Sequence, residues 1–207
     1  MKKLILTAAL SAATALSGFS QGIITFQNAL TSQIWFNSTT TGTKATAGTI
    51  ASQGVGTSTG VIDVGLFWST TAFTSASQGT LADTVTMSTT AGTVAGATVP
   101  LTGTVGGQSV FVQVFSWDST YATPAEALAA GAFFGAASAG PANAAYGAIG
   151  AAQLVTSLNV APAPGNSIFG TGAGQFGRTV LLAGPEPATI AIGGLGAAAL
   201  LMFRRKK

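Results

Sequence analysis

The sequence contains no cysteine and no histidine. Without cysteine there is no disulfide framework, no thiol nucleophile and no lipid-modified N-terminal Cys. Without histidine, His-based triads are excluded and the usual zinc sites lose their ligands. Charge is scarce as well. Asp, Glu, Lys and Arg make up 6% of the residues, against roughly 25% in ordinary globular chains. The net charge of +3 comes from the two ends, where Lys2, Lys3, Arg204, Arg205, Lys206 and Lys207 supply six of the eight cations. Between Gln21 and Gly184, Lys44 and Arg178 stand against Asp63, Asp83, Asp118 and Glu126, a balance of −2. A nucleic-acid binder needs clustered cations to displace counterions. This body has none, so that class is excluded.

What is present is apolar and hydroxyl-rich. Of the 207 residues, 47% are hydrophobic, enough for one packed domain with terminal targeting segments rather than a disordered chain. Thr, Ser, Gln and Asn carry the surface polarity. A surface of that kind repels its neighbours weakly and suits a hydrated polysaccharide setting. Compositional drift in a secreted protein would produce the same bias.

Residues 1–20 read as a secretory signal. Lys2 and Lys3 form the positive start, Leu4 to Leu16 the apolar run, and Gly18-Phe19-Ser20 places small residues at −3 and −1. Cleavage is expected between Ser20 and Gln21. The apolar run is shorter than the ~20 residues of a membrane span, which argues against an uncleaved anchor.

Near the other end, Gly184-Pro185-Glu186-Pro187-Ala188-Thr189 leads into the uncharged stretch Ala188–Phe203, and Arg204-Arg205-Lys206-Lys207 follows at once. Sixteen helical residues rise about 24 Å, short of a ~30 Å hydrocarbon core. Snorkelling of the flanking cations makes up part of the difference. Gly193, Gly194, Gly196 and Ala197–Ala199 form a small-residue face able to pack on another membrane helix. Cations stay on the cytoplasmic side, so both ends point inward and the body between them is placed outside. Pro185 and Pro187 hold the backbone extended, which displays Glu186 as a lone charge just outside the membrane.

The Pro185-Glu186-Pro187 motif, the following Ala188-Thr189, the Gly-rich apolar stretch and the basic end together resemble the PEP-CTERM sorting domain. The resemblance covers about the last 23 residues. Gly184 stands where many members have Val. The resemblance implies recognition by an exosortase, a membrane-embedded transpeptidase-like enzyme. It further implies cleavage near the Pro-Glu-Pro and release or attachment of the body at the cell surface, often alongside exopolysaccharide. The implied partners are signal peptidase, the Sec machinery, the exosortase-type enzyme and extracellular polysaccharide.

The body, residues 21–161, is expected to be a single antiparallel β-sandwich with one short helix, joined to the tail by a Gly/Pro-rich linker at 162–184. Strands are expected at Ile23–Asn28, Gln33–Asn37, Val61–Trp68, Thr80–Met87, Thr93–Val99, Val110–Trp117 and Leu154–Val160. Val61–Trp68 alternates, with Ile62, Val64, Leu66 and Trp68 on one face. Val110–Trp117 is apolar on both faces, as in a central, doubly covered strand. Many short strands with Gly-rich turns suggest the sandwich. Thr123-Pro124-Ala125-Glu126 reads as a capping box with Pro in the first turn, and Gly131 as the helix stop. Val64–Thr70 and Val112–Thr120 look alike, over too short a span to claim a duplication. The Trp117-Asp118 strand end before an Ala-rich helix is similar to bodies carried by other PEP-CTERM proteins.

No catalytic or metal-ligating residues stand out, and no cofactor is expected. A glycosidase needs two carboxylates facing across a cleft, and only Asp63 with Asp118 could supply them; turn and edge carboxylates fit the same pattern. The same pair lacks the closely spaced loop ligands of a Ca²⁺ site. Gly172-Ala-Gly174-Gln-Phe-Gly177 matches G-x-G-x-x-G without the strand before it and helix after it that a dinucleotide site requires, so it reads as linker. Asn37-Ser38-Thr39 is a glycosylation sequon. Trp35, Trp68 or Trp117 could stack on sugar rings, but core packing is the favoured role because two of the three lie in strong strands. The expectation is therefore a sorted, non-enzymatic surface or matrix protein, with a carbohydrate-binding module and a glycosidase as alternatives. N-terminal sequencing of the exported protein is expected to begin at Gln21; a start at Met1 would contradict cleavage.

Overall fold

The computed structural model describes residues 21–28, 32–36, 42–94, 96–137, 154–160, 165–170, 175–177 and 179–183. The signal segment up to Ser20, the sequon at Asn37, residues 172–174 of the glycine motif and everything from Gly184 onward lie outside the described residues. That last stretch includes the expected span at 188–203. Among the described residues no helix is long and apolar enough to cross a membrane.

The described chain is mostly β. Twelve strands run as β1 Gly22–Thr25, β2 Ile34–Phe36, β3 Thr43–Lys44, β4 Ile62–Ser69, β5 Thr80–Thr86, β6 Thr98–Leu101, β7 Ser109–Asp118, β8 Phe133–Ala136, β9 Leu154–Ser157, β10 Asn159–Val160, β11 Asn166–Ser167 and β12 Thr179–Ala183. A 3-10 turn at Ala51–Gln53 precedes β4, and the helix α1, Pro124–Ala129, follows β7. The larger sheet is curled and runs β3-β2-β12-β8-β7-β4-β5, with β9 beside the first half of β7. The smaller one is centred on β1, which pairs with β6 along its length and with β10 and β11 on its other edge.

β7 is the central strand that its sequence implies. Val110, Val112 and Val114 are buried on one face, within a main core that includes Ile62, Val64 and Leu66 of β4. Phe115 and Trp117 on the other face enter a second cluster with Phe67, Phe73, Ala127 and Phe134. Both faces are covered, so the strand needs apolar residues throughout rather than alternation. The main core also takes Ile24 from β1 and Val99 and Leu101 from β6, so it draws on both sheets.

Gly65 lies beneath Trp117. A Cβ there would come within 2.9 Å of two atoms of the indole ring, so only glycine leaves the tryptophan room to lie across β4. Asn28, just after β1, is buried and fully used. Its amide nitrogen donates to the carbonyls of Ser32 and Gly92 at 2.9 and 3.0 Å, and its oxygen accepts from the Val94 amide at 2.7 Å. That fixes the end of the smaller sheet to the turn after β5 without leaving a buried polar group unmet.

α1 follows the capping expectation closely. Thr123 is extended, its hydroxyl accepts from the Glu126 amide at 3.2 Å, and Pro124 opens the helix. The Glu126 carboxylate reaches back to the Ala122 amide at 3.1 Å, one residue earlier than in the usual box. Gly131 takes φ 69° just past the end, the left-handed stop that glycine tolerates.

Two expectations need correction. The sheets are mixed rather than antiparallel, since β2 pairs parallel with β12 and β1 parallel with β11. The span expected as linker also contains strands: β12 lies between β2 and β8, and β11 pairs with β1. Both differences have one cause. The segment after residue 165 returns to strands near the start of the body, and such long returns are what parallel pairing requires. Thr179-Val180-Leu181 is a short apolar run hidden behind glycine and proline, and it gains its strand only from partners far away in sequence. β8 likewise gains its strand from pairing with β7 and β12.

Val112→Ala removes two buried methyl groups from the centre of the core and is expected to cost about 2–3 kcal/mol. Thr123→Ala at the helix cap is expected to cost about 1 kcal/mol. Urea denaturation monitored by tryptophan fluorescence measures both; equal costs would contradict the central place given to β7.

Candidate functional site

β7 ends at Asp118, where the chain leaves the sheet and turns into α1. A cleft of about 650 Å³ opens there. The loop Val55–Thr59, the strand end at Asp118, and Thr120, Tyr121 and Ala130–Phe133 line it. The loop is fastened in place. The Ile50 amide donates to the Gly60 carbonyl at 2.8 Å, and the Ala51 amide to Ser58 at 2.9 Å. Val61 and Ser119 then lock loop to strand end, the Val61 amide donating to the Ser119 hydroxyl at 3.0 Å and the Ser119 amide to the Val61 carbonyl at 2.9 Å.

Asp118 is 2% exposed. Its Oδ1 accepts from the Thr120 amide at 2.9 Å and from the Thr120 hydroxyl at 2.8 Å. The turn Asp118–Tyr121 is closed by the Tyr121 amide donating to the Asp118 carbonyl at 3.1 Å. The Tyr121 carbonyl in turn accepts from the Trp117 indole at 3.1 Å. Trp117 is thus committed to the second core cluster by packing and by its N–H.

Asp63 and Asp118 do not face each other across this cleft. Asp118 pairs across the strands with Ile62, while Asp63 pairs with Trp117. Side chains of neighbouring rungs point to opposite faces of a sheet, so the two carboxylates are directed apart, and Asp63 is not part of the cleft lining. The two-carboxylate arrangement expected for a glycosidase is therefore not formed by this pair. Burial, with a contribution from the charge of Asp118, raises the Asp63 pKa above its ordinary value. Among the described residues no three His, Cys, Asp or Glu side chains gather as metal ligands.

The other sequence candidates fall as follows. Trp68 is half-buried and packs on the main core. Trp35 is half-buried, with the Lys44 ammonium 5.1 Å from its ring centre, a cation–π contact. Gln21 is the first described residue, and β1 begins immediately after it. Ser20, Pro185, Glu186, Pro187, Arg204, Arg205, Lys206 and Lys207 lie outside the described residues. β12 ends at Ala183, so a single residue separates the last described strand from Pro185. Thr120 and Tyr121 follow Asp118 directly in the sequence but carry no motif, and only folding brings the loop at 55–59 to them.

A raised folded-state pKa means that neutral Asp63 is favoured by folding and ionised Asp63 disfavoured. Its contribution is therefore present at low pH and lost as pH rises through the folded-state value. Asp63→Asn is expected to be more stable than the natural protein at pH 7, with the difference shrinking as pH falls through the raised folded-state pKa of Asp63 and gone below its ordinary value. Thermal unfolding across that range checks it; a variant destabilised at pH 7 would contradict the assigned cause.

No curated protein and no solved structure matches the chain. One family does match, and it covers the tail: residues 185–206 fit the PEP-CTERM protein-sorting motif. The motif implies export, membrane-associated sorting and processing by an exosortase-type enzyme. It starts where β12 has just ended, so the chain carries a PEP-CTERM protein-sorting motif immediately beyond the folded body.

Proposed function

We propose that this protein is a non-enzymatic component of the cell surface or extracellular matrix, associated with exopolysaccharide and delivered there by its sorting tail. Signal peptidase and the Sec machinery act at Ser20/Gln21. The tail stops in the inner membrane through residues 188–203, held by Arg204, Arg205, Lys206 and Lys207. An exosortase-type enzyme then acts near Pro185-Glu186-Pro187 and frees the body from that anchor.

The observation that carries this reading is the position of the motif relative to the fold. β12 sits inside the larger sheet and ends at Ala183, and the matched motif begins at residue 185. A cut at the motif leaves every described strand whole. A cut a few residues earlier would remove part of an interior strand and its pairing with both β2 and β8. At the other end, β1 starts at Gly22, so removal of the signal before Gln21 also leaves every described strand whole.

A second reading, a carbohydrate-binding module, is favoured by the hydroxyl-rich cleft at Asp118. It is compatible with the first, since sorting says where the body goes and the cleft concerns what it holds there.

Replacing Glu186 with Ala removes the only charge between Arg178 and Arg204. Fractionation of cells expressing Glu186→Ala is expected to find the protein retained in the inner membrane at full length. Release at the natural rate would show that the motif is not read.

A further inference from the structure

Asp118 is a buried carboxylate with half of its capacity committed. Thr120 supplies both hydrogen bonds received by Oδ1, through its amide and its hydroxyl. Among the described residues none donates a hydrogen bond to Oδ2. Oδ2 is also not among the buried side-chain atoms that lack a partner, so it remains accessible to a ligand. Asp118 lines a space of about 650 Å³, within the size range of small-molecule sites.

The lining defines what would fit. Thr57, Ser58, Thr59 and Thr120 offer hydroxyls, Tyr121 a phenol and an aromatic face, and Phe133 an apolar patch. Among the described residues no cation lines the cleft. An anion would meet the Asp118 carboxylate with nothing to offset the repulsion. A divalent cation such as Ca²⁺ would need six to eight oxygen ligands, usually with several carboxylates, and Asp118 is the only one in the lining. A neutral polyol suits all of these features. One of its hydroxyls donates to Asp118 Oδ2 in a charge-assisted bond, its neighbours exchange hydrogen bonds with the threonines and serine, and its C–H face lies on Tyr121 or Phe133.

The carboxylate is held by design of the backbone beneath it. A Cβ on Gly60 would collide with Asp118 Oδ1 and sit 3.0 Å from the Thr120 methyl. Gly60 therefore acts as a positioning residue: its missing side chain is the space that the carboxylate occupies.

We propose that the cleft between the loop Val55–Thr59 and the turn Asp118–Tyr121 is a binding subsite for a neutral sugar unit of a polysaccharide, with Asp118 Oδ2 as its hydrogen-bond acceptor. The proposal deepens the reading of a body displayed beside exopolysaccharide and rests on it for its biological setting. Binding itself is independent of sorting, so the two fail separately: Glu186→Ala tests the tail without touching the cleft, and binding in vitro tests the cleft without the tail being processed.

The test is titration calorimetry of the full chain in phospholipid nanodiscs, a medium free of sugar detergents, against neutral glucan, mannan and galactan oligosaccharides. At least one of the three is expected to bind. Tyr121→Ala leaves the backbone carbonyl that holds Trp117, and is expected to weaken binding roughly tenfold or more; Asp118→Asn should weaken it by a similar factor. Gly60→Ala is expected to abolish it, whereas Trp68→Phe, outside the cleft, should leave it unchanged. Because Asp118 and Gly60 are buried, circular dichroism confirms folding of those variants, and Tyr121→Ala carries the decision if either unfolds. No binding by any of the three up to about 10 mM, binding unaffected by Tyr121→Ala, or binding lost on adding a calcium chelator would each overturn the proposal.

Discussion

Eight successive residue pairs join Ile62–Ser69 to Asp118–Phe111, and the rest of the body is arranged around that ladder. One face of the pair carries Ile62, Val64 and Leu66 against Val110, Val112 and Val114. The other carries Phe67, Phe115 and Trp117. Trp117 can lie flat across its neighbour only because Gly65 has no side chain. With no disulfide to staple the fold, stability has to come from burying both faces. The smaller sheet supplies part of the cover on one side, and α1 with Phe73 and Phe134 supplies cover on the other.

This constraint also sets the geometry of the cleft. β7 is the longest strand, and it carries the chain out of the sheet at Asp118. Burial of Trp117 holds the turn that follows, because the indole donates to the Tyr121 carbonyl. Tyr121 and Asp118 are thus positioned by a core residue that itself plays no part in the cleft chemistry. The neighbouring Asp63 faces the other way, and its position beside a buried indole and another carboxylate disfavours its charge. One strand pair therefore carries both core faces and places Asp118, the only carboxylate among the described residues that line the cleft.

Legibility in the sequence followed locality. β4, β5 and β7 were visible because alternation and continuous apolar runs are local patterns, and α1 because its cap lies within four residues. The look-alike segments starting at Val64 and Val112 turn out to lie in adjacent, antiparallel strands. β8 and β12 were hidden because each is short and rich in small residues or flanked by glycine and proline, so long-range pairing decides them. The cleft was hidden for the same reason. Asp118 is legible as a carboxylate, but its separation from Asp63 is not, since strand register, which puts Asp63 on the opposite face, cannot be read from spacing alone. The sorting motif shows the reverse: its signal is contained in a continuous stretch meant to be read as a peptide, and it needed no fold to be recognised.

Body and tail therefore divide the work, one folded with a sparsely charged, hydroxyl-rich composition and the other a short address joined to it just after the last described strand. Intact-mass measurement on the form of the protein exposed outside the cell tests that division most directly. The account predicts a species that begins at Gln21 and ends close to Pro187, with every strand of the body retained. A surface-exposed species still ending in Arg204-Arg205-Lys206-Lys207 would contradict it.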